Sequence, residues 1–251
     1  QNTLTETTEQ GAIPEQLRQA LVSLPPARRI KLYNAGSFFD PKAIPPADYG
    51  EIARLLDPFE RVIVESHPAL VGRACLAFRS LLRGELEVAI GLETVHPEVL
   101  PRLNKRMTLE RFRRAAGFLR ENGLALRVFV LTALPWIPAD ETLSWVQRSV
   151  EFAFDSGATA VSIIATRLGN GALETLRDRG EFSLPDLRTL EAAAARALAL
   201  RRGRVFADVW SLESLRRCAD CFPARVERLR VMNLRQIVPP PVDCQICGGS
   251  S

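Results

Sequence analysis

The chain has 251 residues, 47% of them apolar and 25% charged, and a net charge of +4. This composition supports one sizeable core with room for a small appendage, and it argues against an intrinsically disordered chain. No apolar run reaches the ~18 residues that span a bilayer. The polar opening Gln1-Asn-Thr-Leu-Thr-Glu-Thr-Thr is not a secretory signal. A cytoplasmic protein away from the membrane is the expectation. The mild positive charge serves solubility and also suits an anionic partner such as tRNA. Hydrolytic chemistry finds no support. The only histidines are His67 and His96, each directly before a proline, and the chain has neither a nucleophile elbow nor a zinc-protease motif.

Taken in chain order, the first strand is predicted over 30–33, where it breaks at once into the turn Asn34-Ala-Gly-Ser37. A small-residue turn at the carboxyl end of a strand lets a ligand approach backbone amides closely. A helical pattern over 47–56 leads to a β-branched strand, 61–66, that carries Glu65 at its end. A helix over 70–82 precedes a strand over 86–94 carrying Glu93. A helix over 108–122 stops at Asn122-Gly123, and a strand over 126–135 is stopped by Pro135. A helix over 139–156 stops at Ser156-Gly157, and a strand over 160–166 runs into Gly169 and Gly171. A helix over 184–201, including the run Ala192–Ala195, completes the pattern. Near-continuous apolar strands alternating with amphipathic helices define an α/β protein built on a parallel sheet. The Asn34 turn, Glu65 and Glu93 then share the carboxyl face of that sheet, where such folds place their sites.

The phrase Lys31-Leu-Tyr-Asn-Ala-Gly-Ser-Phe-Phe-Asp-Pro41 resembles the second strand and following loop of radical S-adenosylmethionine (SAM) enzymes. Within that superfamily the chain resembles the group of the archaeosine synthase radical-SAM subunit and the Elongator catalytic subunit. The resemblance runs from Leu4 to about Leu176. It is carried further by Gly91-Leu-Glu-Thr94 and by Leu103-Asn-Lys-Arg-Met-Thr108, in the right order. It implies a partial (β/α)6 TIM-like barrel that lacks its first strand and cluster loop, over residues 1–203. Residues 204–251 would form a small metal-binding appendage. It also implies cofactor contacts. Asn34, Gly36 and Ser37 would meet the methionine amino group of SAM, and Glu93 its ribose or methionine moiety. Lys105, or Arg106 if the register slips by one, would meet its carboxylate. Glu65 stands where the oxygen-independent coproporphyrinogen dehydrogenase carries a SAM-contacting Glu. Arg167, Gly169 and Asn170 at a later strand end form a candidate substrate-facing edge.

The departure from the family pattern is the missing Cys-x3-Cys-x2-Cys loop that binds the radical [4Fe-4S] cluster. A chain that starts at Gln1 is expected to have lost this loop by amino-terminal truncation. The alternative is a degenerate member without radical chemistry. The resemblance implies that the complete enzyme cleaves SAM reductively to a 5′-deoxyadenosyl radical that abstracts hydrogen. Its substrate would be a nucleoside in tRNA, with electrons from a donor such as ferredoxin or flavodoxin. The competing function is an inactive barrel whose metal ribbon binds RNA or protein.

Four of the five cysteines form two pairs, Cys218-Ala-Asp-Cys221 and Cys244-Gln-Ile-Cys247, with 22 residues between them. Two such knuckles present four thiolates to one centre. Four thiolates suit either Zn²⁺ or an auxiliary iron–sulfur cluster. Disulfides are disfavoured in a cytosolic setting. Cys75, inside an apolar helical pattern, reads as a buried small hydrophobe. Between the knuckles, Arg225-Val-Glu-Arg-Leu-Arg-Val-Met-Asn-Leu-Arg235 reads either as an RNA-contacting arm or as an element whose apolar face packs under the metal site. Pro239-Pro-Pro241 stiffens the approach to the second knuckle.

Overall fold

The structure is a computed structural model that describes residues 7–33, 36–169 and 171–248. Its elements run α1 (Ala12–Ser23), β1 (Arg29–Leu32), α2 (Tyr49–Leu55), β2 (Arg61–Glu65), α3 (Arg73–Leu81), β3 (Glu85–Glu93), α4 (Val99–Arg102), α5 (Leu109–Glu121), β4 (Ala125–Thr132), α6 (Thr142–Asp155), β5 (Ala160–Ala165), α7 (Ala172–Asp178), α8 (Leu187–Ala199), β6 (Arg204–Ala207) and α9 (Phe222–Arg235). Strand order in the sheet follows chain order from β1 to β6. The pairs β1/β2, β2/β3 and β5/β6 are parallel. The α/β reading of the sequence therefore holds. Residues 204–207, assigned to the extension from sequence, form β6 and pair with β5 in the register Val161↔Val205. The fourth strand ends at Thr132 rather than running to Pro135, because Ala133 turns into the left-handed region at φ 49°.

By contacts the chain divides into two compact units, Gln1–Gly91 with Glu110–Arg127, and Leu92–Leu109 with Val128–Ser251. In the first unit the register Ile30↔Val62 and Val62↔Leu86 lines up apolar positions across three strands. Val62, Ile63 and Val64 are all buried, as expected of a strand covered on both faces. Beside them lies an aromatic cluster of Phe38, Phe39, Tyr49 and Phe78. The Phe38 and Phe78 ring centroids are 4.6 Å apart and those of Tyr49 and Phe78 5.3 Å. Buried Asp48 accepts from the Gly11 N–H through both oxygens, at 3.0 and 3.1 Å, and so anchors the start of α1. Within the sheet, buried Glu87 is met by Arg127 at 2.6 Å and Arg61 at 3.0 Å. A buried carboxylate is tolerated only with such pairing.

In the second unit α6 and α8 pack on β5, and α8 and α9 pack on β6. An edge strand leaves backbone groups unpaired unless something covers them. Here two amide side chains of the α9 region take that role. Asn233 both donates to and accepts from the Ala207 backbone at 2.8 Å. Gln236 accepts from Val205 N–H at 2.7 Å and donates to its carbonyl at 2.8 Å.

Candidate functional site

In the first unit, the β1 turn and the β2 end are brought together. The Phe38 N–H donates to the Glu65 carbonyl at 2.8 Å, and the Ser37 hydroxyl accepts from the His67 N–H at 2.8 Å. These bonds and the aromatic cluster fix Gly36 and Ser37 beside the carboxyl end of β2. Asn34, the first residue of the predicted turn, lies outside the described residues. His67 Nδ1 accepts from the Ala69 N–H at 3.2 Å, so the imidazole caps a short turn over Pro68–Leu70.

In the second unit, Glu93 ends β3 with φ at 67°, in the left-handed region, while its side chain is buried. A bulky residue held there is strained by about 1–3 kcal/mol, and such strain concentrates at functional positions. Lys105 Nζ lies 2.5 Å from Glu93 Oε1. The two residues that resemblance assigned to different parts of SAM are thus paired with each other. Lys105 sits in a kinked segment between α4 and α5 where Asn104 and Arg106 also take positive φ, 52° and 51°.

Arg167, just after β5, is tied into the fold. Its guanidinium donates to Asp208 at 2.8 Å and to the Trp210 carbonyl at 2.5 Å, and lies 5.5 Å from the centroid of the exposed Trp210 ring. Gly169 donates its N–H to Glu174 at 2.6 Å. Asn170 is outside the described residues. Sequence reasoning missed Asp208 and Trp210 because β6 is only four residues long, too short for a period to show.

The tail cysteines converge. Their four Sγ atoms all lie within 4.8 Å of one another, with Cys218–Cys244 at 3.9 Å and Cys221–Cys247 at 3.8 Å. The backbone N–H groups of Cys247 and Ile246 hold the Cys244 thiol down, at about 7. The segment between the knuckles is the helix α9, and its Arg225 and Arg228 are buried rather than offered to a partner. The packing reading of that segment therefore stands, and the arm reading is corrected for these two arginines. Both reach buried Glu191 of α8, Arg225 at 2.6 Å and Arg228 at 3.2 Å. Arg225 also donates to Cys221 Sγ at 3.3 Å and to the Val242 carbonyl at 3.2 Å. Glu191 was missed in sequence, although it lies on the stripe Leu187, Leu190, Glu191, Ala194, Leu198 that α8 buries.

No protein-family model matches the chain. Over 170 residues, 64% of its length, it is 28% identical to archaeosine synthase subunit beta of Methanosarcina acetivorans, of which 48% is covered. Among solved structures, Methanocaldococcus infernus Elp3 with an amino-terminal deletion matches with a TM-score of 0.58 at 17% identity, over 76% of this chain and 49% of that one. Escherichia coli coproporphyrinogen III oxidase (HemN), a radical SAM enzyme, matches with a TM-score of 0.50 at 14% identity, over 77% of this chain and 46% of that one. The chain spans about half the length of the curated relatives it matches.

The fold is therefore an α/β fold of the radical SAM type. Over 64% of its length the chain is in addition similar in sequence to archaeosine synthase subunit beta. The residues present do not fit the radical SAM superfamily's radical cluster. Cys75 is fully buried in α3, with burial pushing its thiol up to about 11, and the other four cysteines converge on one another in the tail.

Proposed function

We propose that this chain is the SAM-holding and substrate-facing part of a radical SAM enzyme that modifies a nucleoside in tRNA in the cytoplasm. An electron donor of the ferredoxin or flavodoxin class would serve it. The observation that most supports the reading is the ion pair between buried Glu93 and half-buried Lys105 at a strand's carboxyl end, held with Glu93 in the left-handed region, on a fold of the radical SAM type. A partly buried cation beside a buried carboxylate is apt for receiving a zwitterionic ligand, whose own carboxylate and ammonium can share both partners. By resemblance, Gly36, Ser37 and Glu65 of the first unit are also proposed as SAM contacts, and Arg167 as part of a substrate edge. The superfamily's cluster, when bound, supplies reductive cleavage of SAM. Its three cysteines are not among these residues, so the activity is assigned to a protein that carries them in addition.

The test uses the intact gene product, purified without oxygen, reduced with dithionite and supplied with SAM. Formation of 5′-deoxyadenosine, lost in Lys105→Ala, supports the proposal. An iron-loaded protein that leaves SAM intact overturns it. The second reading, an inactive fold whose tail binds RNA or protein, is favoured by the four-thiol group standing in a chain without the cluster loop. Intact SAM together with retained metal in the tail is its expected outcome.

A further inference from the structure

We propose that Cys218, Cys221, Cys244 and Cys247 hold one tetrahedrally coordinated Zn²⁺ ion, a closed structural centre rather than an auxiliary iron–sulfur cluster. The argument begins with the spacing. Four sulfurs each about 2.3 Å from one zinc ion stand at the corners of a tetrahedron whose edge is about 3.8 Å. The Sγ separations of 3.8 and 3.9 Å across the two knuckles match that edge, and none exceeds 4.8 Å. In a polynuclear cluster the thiolates bind different irons, so the iron–iron distance widens the sulfur spacing. The observed group is too tight for that.

Charge gives a second, independent argument. Arg225, Arg228 and Glu191 form a triad whose side chains are 3%, 6% and 0% exposed. Within the triad the positive charge exceeds the negative by one, and Arg225 turns its Nε–H to Cys221 Sγ at 3.3 Å. A guanidinium so placed suits a metal-bound thiolate. An anionic tetrathiolate centre of either kind meets this, and the sulfur spacing favours zinc over a cluster. On binding, the ion displaces the thiol protons to solvent, and no oxidant or reductant takes part.

The surroundings leave no room for a reaction at the ion. All four positions of a tetrahedron are filled by protein, the mark of a structural site. The cavity beside the cluster, lined by Arg188, Arg216, Arg217, Phe222, Cys218 and Cys247, measures about 30 Å³. That is space for about two waters, far below the ~300 Å³ of a ligand site. Among divalent ions suited to four thiolates, zinc outcompetes iron(II) in intrinsic affinity. The centre would pin the second knuckle, which follows the stiff Pro239–Pro241 run, onto α9 and through Glu191 onto α8.

This proposal does not depend on SAM chemistry, and its test is separate. The 251-residue chain, which contains none of the radical-cluster cysteines, is expressed with both iron and zinc supplied and purified without oxygen. Zinc, iron and acid-labile sulfide are then measured per chain. One zinc and no sulfide is the expected result, with zinc lost in Cys221→Ser and in Cys244→Ser. Iron with sulfide overturns the proposal, as does one iron in place of zinc, absence of metal, or zinc that persists in both variants. Because those variants can misfold, Co²⁺ is also exchanged into the wild-type chain. Intense visible bands of a tetrahedral tetrathiolate centre support the geometry, and the weak bands of six-coordinate cobalt overturn it.

Discussion

Replacing Glu191 by Gln is the sharpest test of how the tail is joined to the rest of its unit. The substitution preserves shape but removes one negative charge from a position with no solvent exposure. It also puts an amide N–H₂ where a carboxylate oxygen had accepted from a guanidinium, so a donor faces a donor. Removing one partner of a buried ion pair costs about 3–5 kcal/mol. Arg228 retains the Pro239 and Pro240 carbonyls at 3.3 and 2.9 Å, and Arg225 retains Val242 and Cys221. These bonds place the expected loss at the lower end, about 3 kcal/mol. In urea denaturation with a slope near 3 kcal/mol/M, that is a fall of about 1 M in midpoint with the slope unchanged. The same variant should surrender bound metal to a chelator faster than wild type, because Arg225 loses the carboxylate that orients it on Cys221. A midpoint shift below about 0.3 M would refute the reasoning, since it would mean that the triad is solvated or rearranges freely.

Phe78→Ala empties a fully buried site at the meeting of the Phe38, Phe39 and Tyr49 rings. It should cost about 3–5 kcal/mol, read as a lowered melting temperature of the chain. Asp186 caps α8 by accepting from the Thr189 N–H at 2.8 Å, and Asp186→Ala should cost about 1 kcal/mol at neutral pH. Burial works against the Asp186 charge, but the Thr189 N–H and Arg188 outweigh it and hold its pKa below the ordinary value. The unfolded chain therefore takes up the proton first as pH falls. The cap's contribution is full above the unfolded value of about 3.9, is lost as pH falls through the folded value, and should shrink the gap between variant and wild type when both are unfolded at about pH 3. After metal removal by a chelator, four cysteines of the native chain should react with an alkylating reagent while Cys75 is spared. Its thiol is fully buried and pushed up to about 11, and intact mass would show the fifth adduct only after denaturation.

The strands and the longer helices were legible because their signals are local. The β2 run Arg61-Val-Ile-Val-Glu65 is β-branched and bounded by turn residues, and the sheet buries it on both faces. The α5 and α6 patterns ended within a residue or two of where Asn122-Gly123 and Ser156-Gly157 predicted. What escaped was short or held by distant contacts. Helix α1 contains Pro14 and buries only that residue and Leu17, so its stripe is too thin to read. β6 has four residues and owes its place to Asn233 and Gln236, amides some 30 positions downstream.

The site divides along the same line. A Cys-x2-Cys turn is a local device: one knuckle already points two sulfurs to one side, and only the meeting of the two knuckles is tertiary. The pairs were therefore plain in the sequence, and their convergence followed. The triad beneath them was not, because each member looked ordinary alone. Arg225 and Arg228 read as part of a basic run, and Glu191 stands just before the run Ala192–Ala195 with nothing local to mark it. Yet all three stand on apolar stripes, Arg225 and Arg228 with Leu229 and Met232 on α9, and Glu191 with Leu187, Leu190 and Ala194 on α8. A charge on a stripe that must be buried requires an opposite charge on the facing stripe. Two helices that carry complementary breaks of this kind are driven together in one register, with the cysteines at the start of α9 brought to the segment that precedes Cys244. The charges that interrupt the apolar pattern thus select which helices meet, and the thiolate centre forms where they do.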